Sequence, residues 1–216
     1  MLMSRCSAAF KKDIRLKCYD ALERNGFTRF AKEGVDWPLD VGFHCWVGLN
    51  TGLYPDRVEI NPFVGVHVVP MAKMRALEGN KYDRGIATYA IPMGELLTAR
   101  NERAFAFTPE QSDSFVDSEA QRLASLYAHA GLTYARSIAS YKALLPLLEG
   151  RVETLGGYPE KVACCLYLMG EISRARAFVG DFLAREPDYF RSFAVPFLSM
   201  IGTEEDGGMA PTEKAR

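Results

Sequence analysis

Between residues 41 and 69 the chain reads VGFHCWVGLNTGLYPDRVEINPFVGVHVV, with apolar residues at every second position on both sides of TGLYPD. Successive side chains of a strand point to opposite faces. One face therefore carries Val41, Phe43, Cys45, Val47 and Leu49, continued by Val58, Ile60, Pro62, Val64, Val66 and Val68. The other carries His44, Trp46, Gly48 and Asn50, continued by Arg57, Glu59, Asn61, Phe63 and His67. The turn residues of TGLYPD join the two strands into a hairpin. A loop centred between Leu53 and Tyr54 pairs Asn50 with Arg57, Trp46 with Asn61, His44 with Phe63 and Asp40 with His67, and brings like faces together. Pro62 marks a bulge or an edge position.

Before this hairpin, apolar residues four apart (Phe10, Ile14, Cys18, Leu22) predict a helix that Asn25-Gly26 ends. A short strand follows from Phe27 to about Ala31, and Gly34 through Pro38 reads as a turn. After it, residues 70–80 read as a short helix ended by Gly79-Asn80, and GIATYAI and RAFAF as further strands. From Pro109 onward the period becomes helical, with Ser and Asp caps opening SDSFVDSEAQRLASLYAHAG. Helices are predicted over about 132–149, 159–169, 171–185 and 188–200. Together these give an α+β fold: an N-terminal helix, an antiparallel sheet of about four or five strands, and a C-terminal helical region of about four helices. The expected division is a sheet domain over 1–108, a helical region over 109–201 packed on that sheet in the same domain, and a mobile tail over 202–216.

Composition narrows the function classes. The 216 residues are 48% apolar and 25% charged, enough to bury a full core, and the net charge of −1 gives no footprint for nucleic acid. The N-terminal stretch lacks the apolar core of a signal peptide, and no run is long enough to span a bilayer, so a cytoplasmic protein with no membrane association is expected. The five cysteines have no C-x-x-C spacing, and Cys164-Cys165 fits the core of a helix. No nucleotide, zinc-protease or hydrolase signature occurs. No catalytic residue, cofactor or metal is assigned.

A metal site would need His44 and His67 together. In the pairing above they lie roughly 13 Å apart at about 3.4 Å per residue, too far for ligand bonds of about 2.0–2.1 Å to one ion. His44 and Cys45 project to opposite faces and form no thiol-imidazole pair. What stands out is an aromatic and polar sheet face with its rim loop: Trp46, Asn50, Tyr54, Asp56, Arg57, Glu59, Asn61 and Phe63. Aromatic and Arg side chains on a stiff element suit a binding surface. Either the C-terminal helices cover this face or a partner protein does.

Two likenesses add to this. GEISRARAFVGDFLAREP (170–187) resembles the second helix of a tetratricopeptide repeat, with Gly170, Ala175, Leu183 and Pro187 at matching spacings. It covers half of one repeat and predicts a helical hairpin. Residues 10–69, with a helix, the GF of Gly26-Phe27 and the strand VEINPFVGV, resemble uncharacterised bacterial domains with an N-terminal helix, a GF strand and an F-x-V-N-L-G-V strand. Some of these are encoded beside secreted toxins and are regarded as immunity proteins. The resemblance implies a protein-binding inhibitor that neutralises a cognate toxin by occluding its active site. The alternative is an enzyme or small-molecule binder with a pocket between sheet and helices, using His44, Glu59 or His67 as acid-base groups. A weaker third is an adaptor whose helical hairpin holds a peptide. Oligomeric state is left open.

Overall fold

The computed structural model describes residues 5–75, 82–97, 105–154 and 158–207, with side chains as far as Gly202. The fold is α+β, and the chain divides into two units: one runs to Val68 and resumes over Arg84–Ser140, the other holds Val69–Asp83 and everything from Tyr141. No described helix is long and apolar enough to cross a membrane.

The sheet unit begins with α1 (Ala8–Arg24), where Ser7 caps the first turn by accepting from the Phe10 N–H at 3.1 Å. Ile14, Cys18, Ala21 and Leu22 form its buried stripe. Gly26 ends it at φ 94°, the left-handed region that glycine enters without steric penalty. Then come β1 (Thr28–Ala31), β2 (Gly34–Asp40), β3 (Phe43–Leu53) and β4 (Val58–Val68), antiparallel neighbours in that order.

Gly34–Pro38, expected as a turn, is therefore strand: the reversal lies at Lys32-Glu33, and β2 pairs with β1 on one side and β3 on the other. Val35 and Asp36 are each 1% exposed. A buried aspartate, partnered as described below, breaks the apolar alternation by which a strand is recognised.

The hairpin keeps its predicted faces but not its predicted register. Tyr54 N–H donates to the Arg57 carbonyl at 2.8 Å, closing a loop centred on Pro55-Asp56, and every β3 residue meets a β4 residue four positions beyond the expected one. His44 faces His67, Trp46 faces Gly65, Gly48 faces Phe63 and Asn50 faces Asn61. An even shift preserves the side-chain alternation. Phe43, Cys45, Val47, Leu49, Val58, Ile60, Val64, Val66 and Val68 accordingly form the buried face.

Two short strands share the outer edge of β4: β5 (Tyr89–Pro92) beside Phe63–Val66, and β6 (Phe105–Phe107) beside Val58–Ile60. The Thr88 N–H donates to the Val66 carbonyl, so even-numbered β4 residues turn their backbone groups toward this edge. Among the described residues Pro62 is the even-numbered position left between the two strands, and a proline has no N–H to leave unpaired there. The β3–β4 register runs through it without a bulge.

Helix α3 (Asp113–Leu126), a π turn (Tyr127–Gly131) and α4 (Leu132–Ser137), although C-terminal to residue 109, belong to the sheet unit. They share the apolar side of the sheet with α1, which is tied to α3 through Lys17 with Asp113 at 3.0 Å and Asp117 at 3.4 Å. Ser112 caps α3 by accepting from the Phe115 N–H at 3.3 Å. Ser112→Ala should cost about 1 kcal/mol, read as a lower urea midpoint with an unchanged slope.

The second unit holds α2 (Val69–Arg75), α5 (Tyr141–Glu149), α6 (Pro159–Leu168), α7 (Ile172–Arg185) and α8 (Pro187–Gly207). From α5 to α8 each helix lies against the next, and α2 lies against α6. Phe182, Phe190, Phe193 and Phe197 form a chain of ring contacts with centroids 4.8–5.4 Å apart. Cys164 and Cys165 are fully buried, and burial pushes the Cys165 thiol up to about 12. The helix expected over 132–149 is two, because the chain leaves helical geometry at Ile138. The tail expected from 202 is helical as far as Gly207, while 208–216, like Gly79-Asn80, lie outside the described residues.

Candidate functional site

The helices of the sheet unit occupy the apolar face. Tyr127, on the π turn, brings its hydroxyl within 2.9 Å of the Gly48 and Phe63 carbonyls, and Gly131 lies close to Val64. The opposite face is where the predicted binding residues stand, and it has a closed end and an open end.

At the open end Asn50 and Asn61 are a directly opposed, exposed pair. Their carboxamides lie beside Phe63, which is partly buried, and the shelf formed by Pro62, Pro92 and Gly94; the six residues line a depression of about 410 Å³. Beyond it the hairpin loop presents Tyr54, 40% exposed, and Leu53, 43% exposed. Arg57 is the hub of this tip. Its guanidinium sits 4.5 Å from the centre of the Tyr54 ring, and it donates to Glu59 at 2.6 Å and to Asp56 at 3.0 Å. Two carboxylates against one guanidinium leave the tip with a net negative charge.

At the closed end the segment Arg84–Ala87 crosses the sheet. Arg84 donates to both Asp36 oxygens, Nε to Oδ2 at 2.5 Å and Nη2 to Oδ1 at 2.8 Å, while its guanidinium lies 5.0 Å from the Phe30 ring centre. Nη2 is also 3.4 Å from His44 Nδ1, which in turn is 3.4 Å from Asp36 Oδ1. Trp46 Nε1–H donates to the Gly85 carbonyl at 2.8 Å. His67 Nδ1 is 2.8 Å from the Ile86 carbonyl. A carbonyl only accepts, so the proton is on Nδ1. Burial lowers the His67 pKa, against the opposing pull of that hydrogen bond, which favours the neutral ring.

The two histidines thus stand side by side instead of apart. Directly opposed residues have Cβ atoms about 4.5–5.5 Å apart. They are neighbours because the loop closes two residues later than its turn residues indicate. The described residues nevertheless hold no cluster of three or more metal-ligating side chains fit to bind an ion. Cys45, on the other face from His44, has its thiol pushed up to about 12 by burial.

Of the predicted residues, the structure gathers Asn50, Asn61 and Phe63 at the depression and Tyr54, Asp56, Arg57 and Glu59 at the tip. Trp46 is part-buried and held under the 84–87 segment. None of His44, Glu59 or His67 lines the depression. Asp36 and Arg84 are not among the residues the sequence points to: Asp36 lies in Gly34–Pro38, expected as a turn, and Arg84 lies between the helix expected over 70–80 and the strand GIATYAI. The one available signal was a lone aspartate between Val35 and Trp37, an expensive residue to bury unless a cation meets it. Comparison of the chain with known protein families, with curated proteins and with solved structures returned no match.

Proposed function

We propose that this chain is a protein-binding inhibitor, an immunity partner that neutralises a bacterial toxin by occluding its active site. The observation that supports this reading best is the end of the sheet face at which Asn50 and Asn61 stand exposed beside the hairpin tip. Asn50 and Asn61 there offer hydrogen-bond donors and acceptors in a depression that they line together with Pro62, Phe63 and Pro92. Exposed Tyr54 and Leu53 stand next to it. Strand-borne side chains have little rotamer freedom left to lose on binding. Phe63 and Tyr54 serve as anchors, and the net negative tip of Asp56, Arg57 and Glu59 faces a basic residue of the toxin.

Co-expression with the product of the adjoining gene should give a stable complex and rescue growth from toxicity. Tyr54→Ala and Phe63→Ala are each expected to weaken that complex by about 2 kcal/mol, roughly thirtyfold in Kd by calorimetry. Absence of a complex and of rescue would sink the proposal. A second reading draws on the volume of the depression, which falls within the usual range for small ligands of about 300–1,000 Å³. Two carboxamides and no titratable group suit a neutral ligand, not acid-base chemistry.

A further inference from the structure

Taking this face as a protein-binding surface, as above, we infer that the depression lined by Asn50, Asn61 and Phe63 takes a proline-containing segment of the partner in the extended polyproline conformation. A basic residue of that segment meets the hairpin tip.

The register lays out the site row by row. Phe63 stands beside Pro92 of β5, and the next row toward the tip is Asn50 opposite Asn61. Gly52 opposite Glu59 follows, and the loop closes the series with Tyr54 and Arg57. Tyr54 folds back over Gly52, since a Cβ on that glycine would come within 2.9 Å of the ring. The two carboxamides therefore lie between the rings of Phe63 and Pro92 on one side and the ring of Tyr54 on the other. Among the described residues neither carboxamide has a hydrogen-bond partner.

What the site can hold follows from these groups. A strand cannot be added at the depression. There β5 and β6 occupy the outer edge of β4 on either side, and between them Pro62 has no N–H to offer. The backbone of an occupant meets side chains instead, and the polar ones lining the depression are two carboxamides, each with two N–H donors and one carbonyl acceptor. A polyproline segment suits that supply. It makes no internal hydrogen bonds, so its carbonyls are ready to accept, and each proline removes an N–H that would need an acceptor. Its conformation is set before binding, and its pyrrolidine rings pack on aromatic-lined surfaces.

Length and charge agree. From Phe63 to Arg57 is roughly 20 Å at about 3.4 Å per residue, a span that about seven residues of polyproline helix cover at about 3.1 Å each. At the far end Asp56 and Glu59 share the guanidinium of Arg57, which leaves the tip negative toward a lysine or arginine of the segment.

The test is an NMR titration of the isotopically labelled full chain with two acetylated and amidated heptapeptides, Arg-Ala-Pro-Pro-Ala-Pro-Pro and its reverse. The side-chain amide signals of Asn50 and Asn61 should shift with at least one of them. Replacing every proline of the peptide by alanine should weaken binding at least about tenfold, and replacing its arginine by glutamate about fivefold. The Asn50→Ala, Asn61→Ala double variant should bind about tenfold less tightly while melting near the wild-type temperature, since both residues are exposed. No shift at Asn50 and Asn61 with either peptide overturns the inference, as does an alanine peptide that binds as well as the proline one. Shifts there with cellohexaose and with neither peptide also overturn it, and give the depression to a neutral small ligand. The complex with the product of the adjoining gene is read separately. If it forms and neither heptapeptide displaces it, the inhibitor reading stands and the proline segment is overturned. Peptide binding without such a complex removes the toxin as partner and leaves the proline-segment site standing.

Discussion

Tyr127→Ala is expected to destabilise the sheet unit by about 3–5 kcal/mol, the range for deleting a large aromatic side chain from a core. Tyr127 is fully buried, with Phe27 edge-on to its ring at 6.4 Å. Its hydroxyl lies within 2.9 Å of two main-chain carbonyls, Gly48 on β3 and Phe63 on β4. Burial raises its pKa well above 10, so it remains a donor at any ordinary pH. These carbonyls belong to residues opposed in the ladder, and the residue next to one of them, Pro62, brings no N–H. The π turn that begins at Tyr127 is the kind of irregularity that re-aims a helical side chain, here straight at the sheet. Tyr127→Phe separates ring from hydroxyl and should cost about 1–2 kcal/mol. Urea denaturation of both variants checks the pair. A phenylalanine variant as unstable as the alanine one would move the whole effect onto the hydroxyl.

How far the fold is legible in the sequence differs between elements for physical reasons. The period-2 pattern of residues 43–68 is visible because one face is apolar along its whole length, and it remains valid when the register shifts by an even number. The register itself depends on where the loop closes. Leu53 and Tyr54 carry no marker that distinguishes a loop centred on them from one centred on Pro55-Asp56, and the deciding contact is one backbone hydrogen bond from Tyr54 to Arg57. That displacement converts two distant histidines into neighbours. Strand β2 was hidden because Asp36 and Pro38 disrupt the pattern, and the reason Asp36 is tolerated, Arg84, is 48 positions away. Local pattern cannot report such a pair. Helix α3 was visible from Ser112 and its apolar period, but the break at Ile138 was not: Ser137 turns its hydroxyl back to the Tyr134 carbonyl, and nothing in composition marks the end. The open face with Asn50, Asn61 and Phe63 was legible as a face. The segment 84–87 at its other end was not, since it meets the face through tertiary contacts with Asp36, Trp46 and His67.

Gly65→Ala is expected to be the most damaging single-atom addition to the sheet, at about 3 kcal/mol, the upper end of the range for overpacking. A Cβ at this position would collide with the Tyr89 carbonyl oxygen and lie 2.6 Å from Ala90 Cα and 2.7 Å from the Tyr89 carbonyl carbon. All three are backbone atoms of β5 or its edge, which cannot rotate aside as a side chain can. Gly48 is the comparison: a Cβ there would meet side-chain atoms only, those of the Trp46 ring and the Phe63 Cβ at 3.3 Å, and the indole can shift at the cost of its bond to the Gly85 carbonyl. Gly48→Ala should therefore cost nearer 1 kcal/mol. Lifting β5 away from Gly65 displaces the chain that leads back through Thr88 to Ile86 and Gly85, so Gly65→Ala should release Trp46 from the Gly85 carbonyl and raise its quenching at neutral pH. Thermal melting of both variants decides the matter. Equal destabilisation by the two substitutions would mean that β5 yields as readily as a side chain.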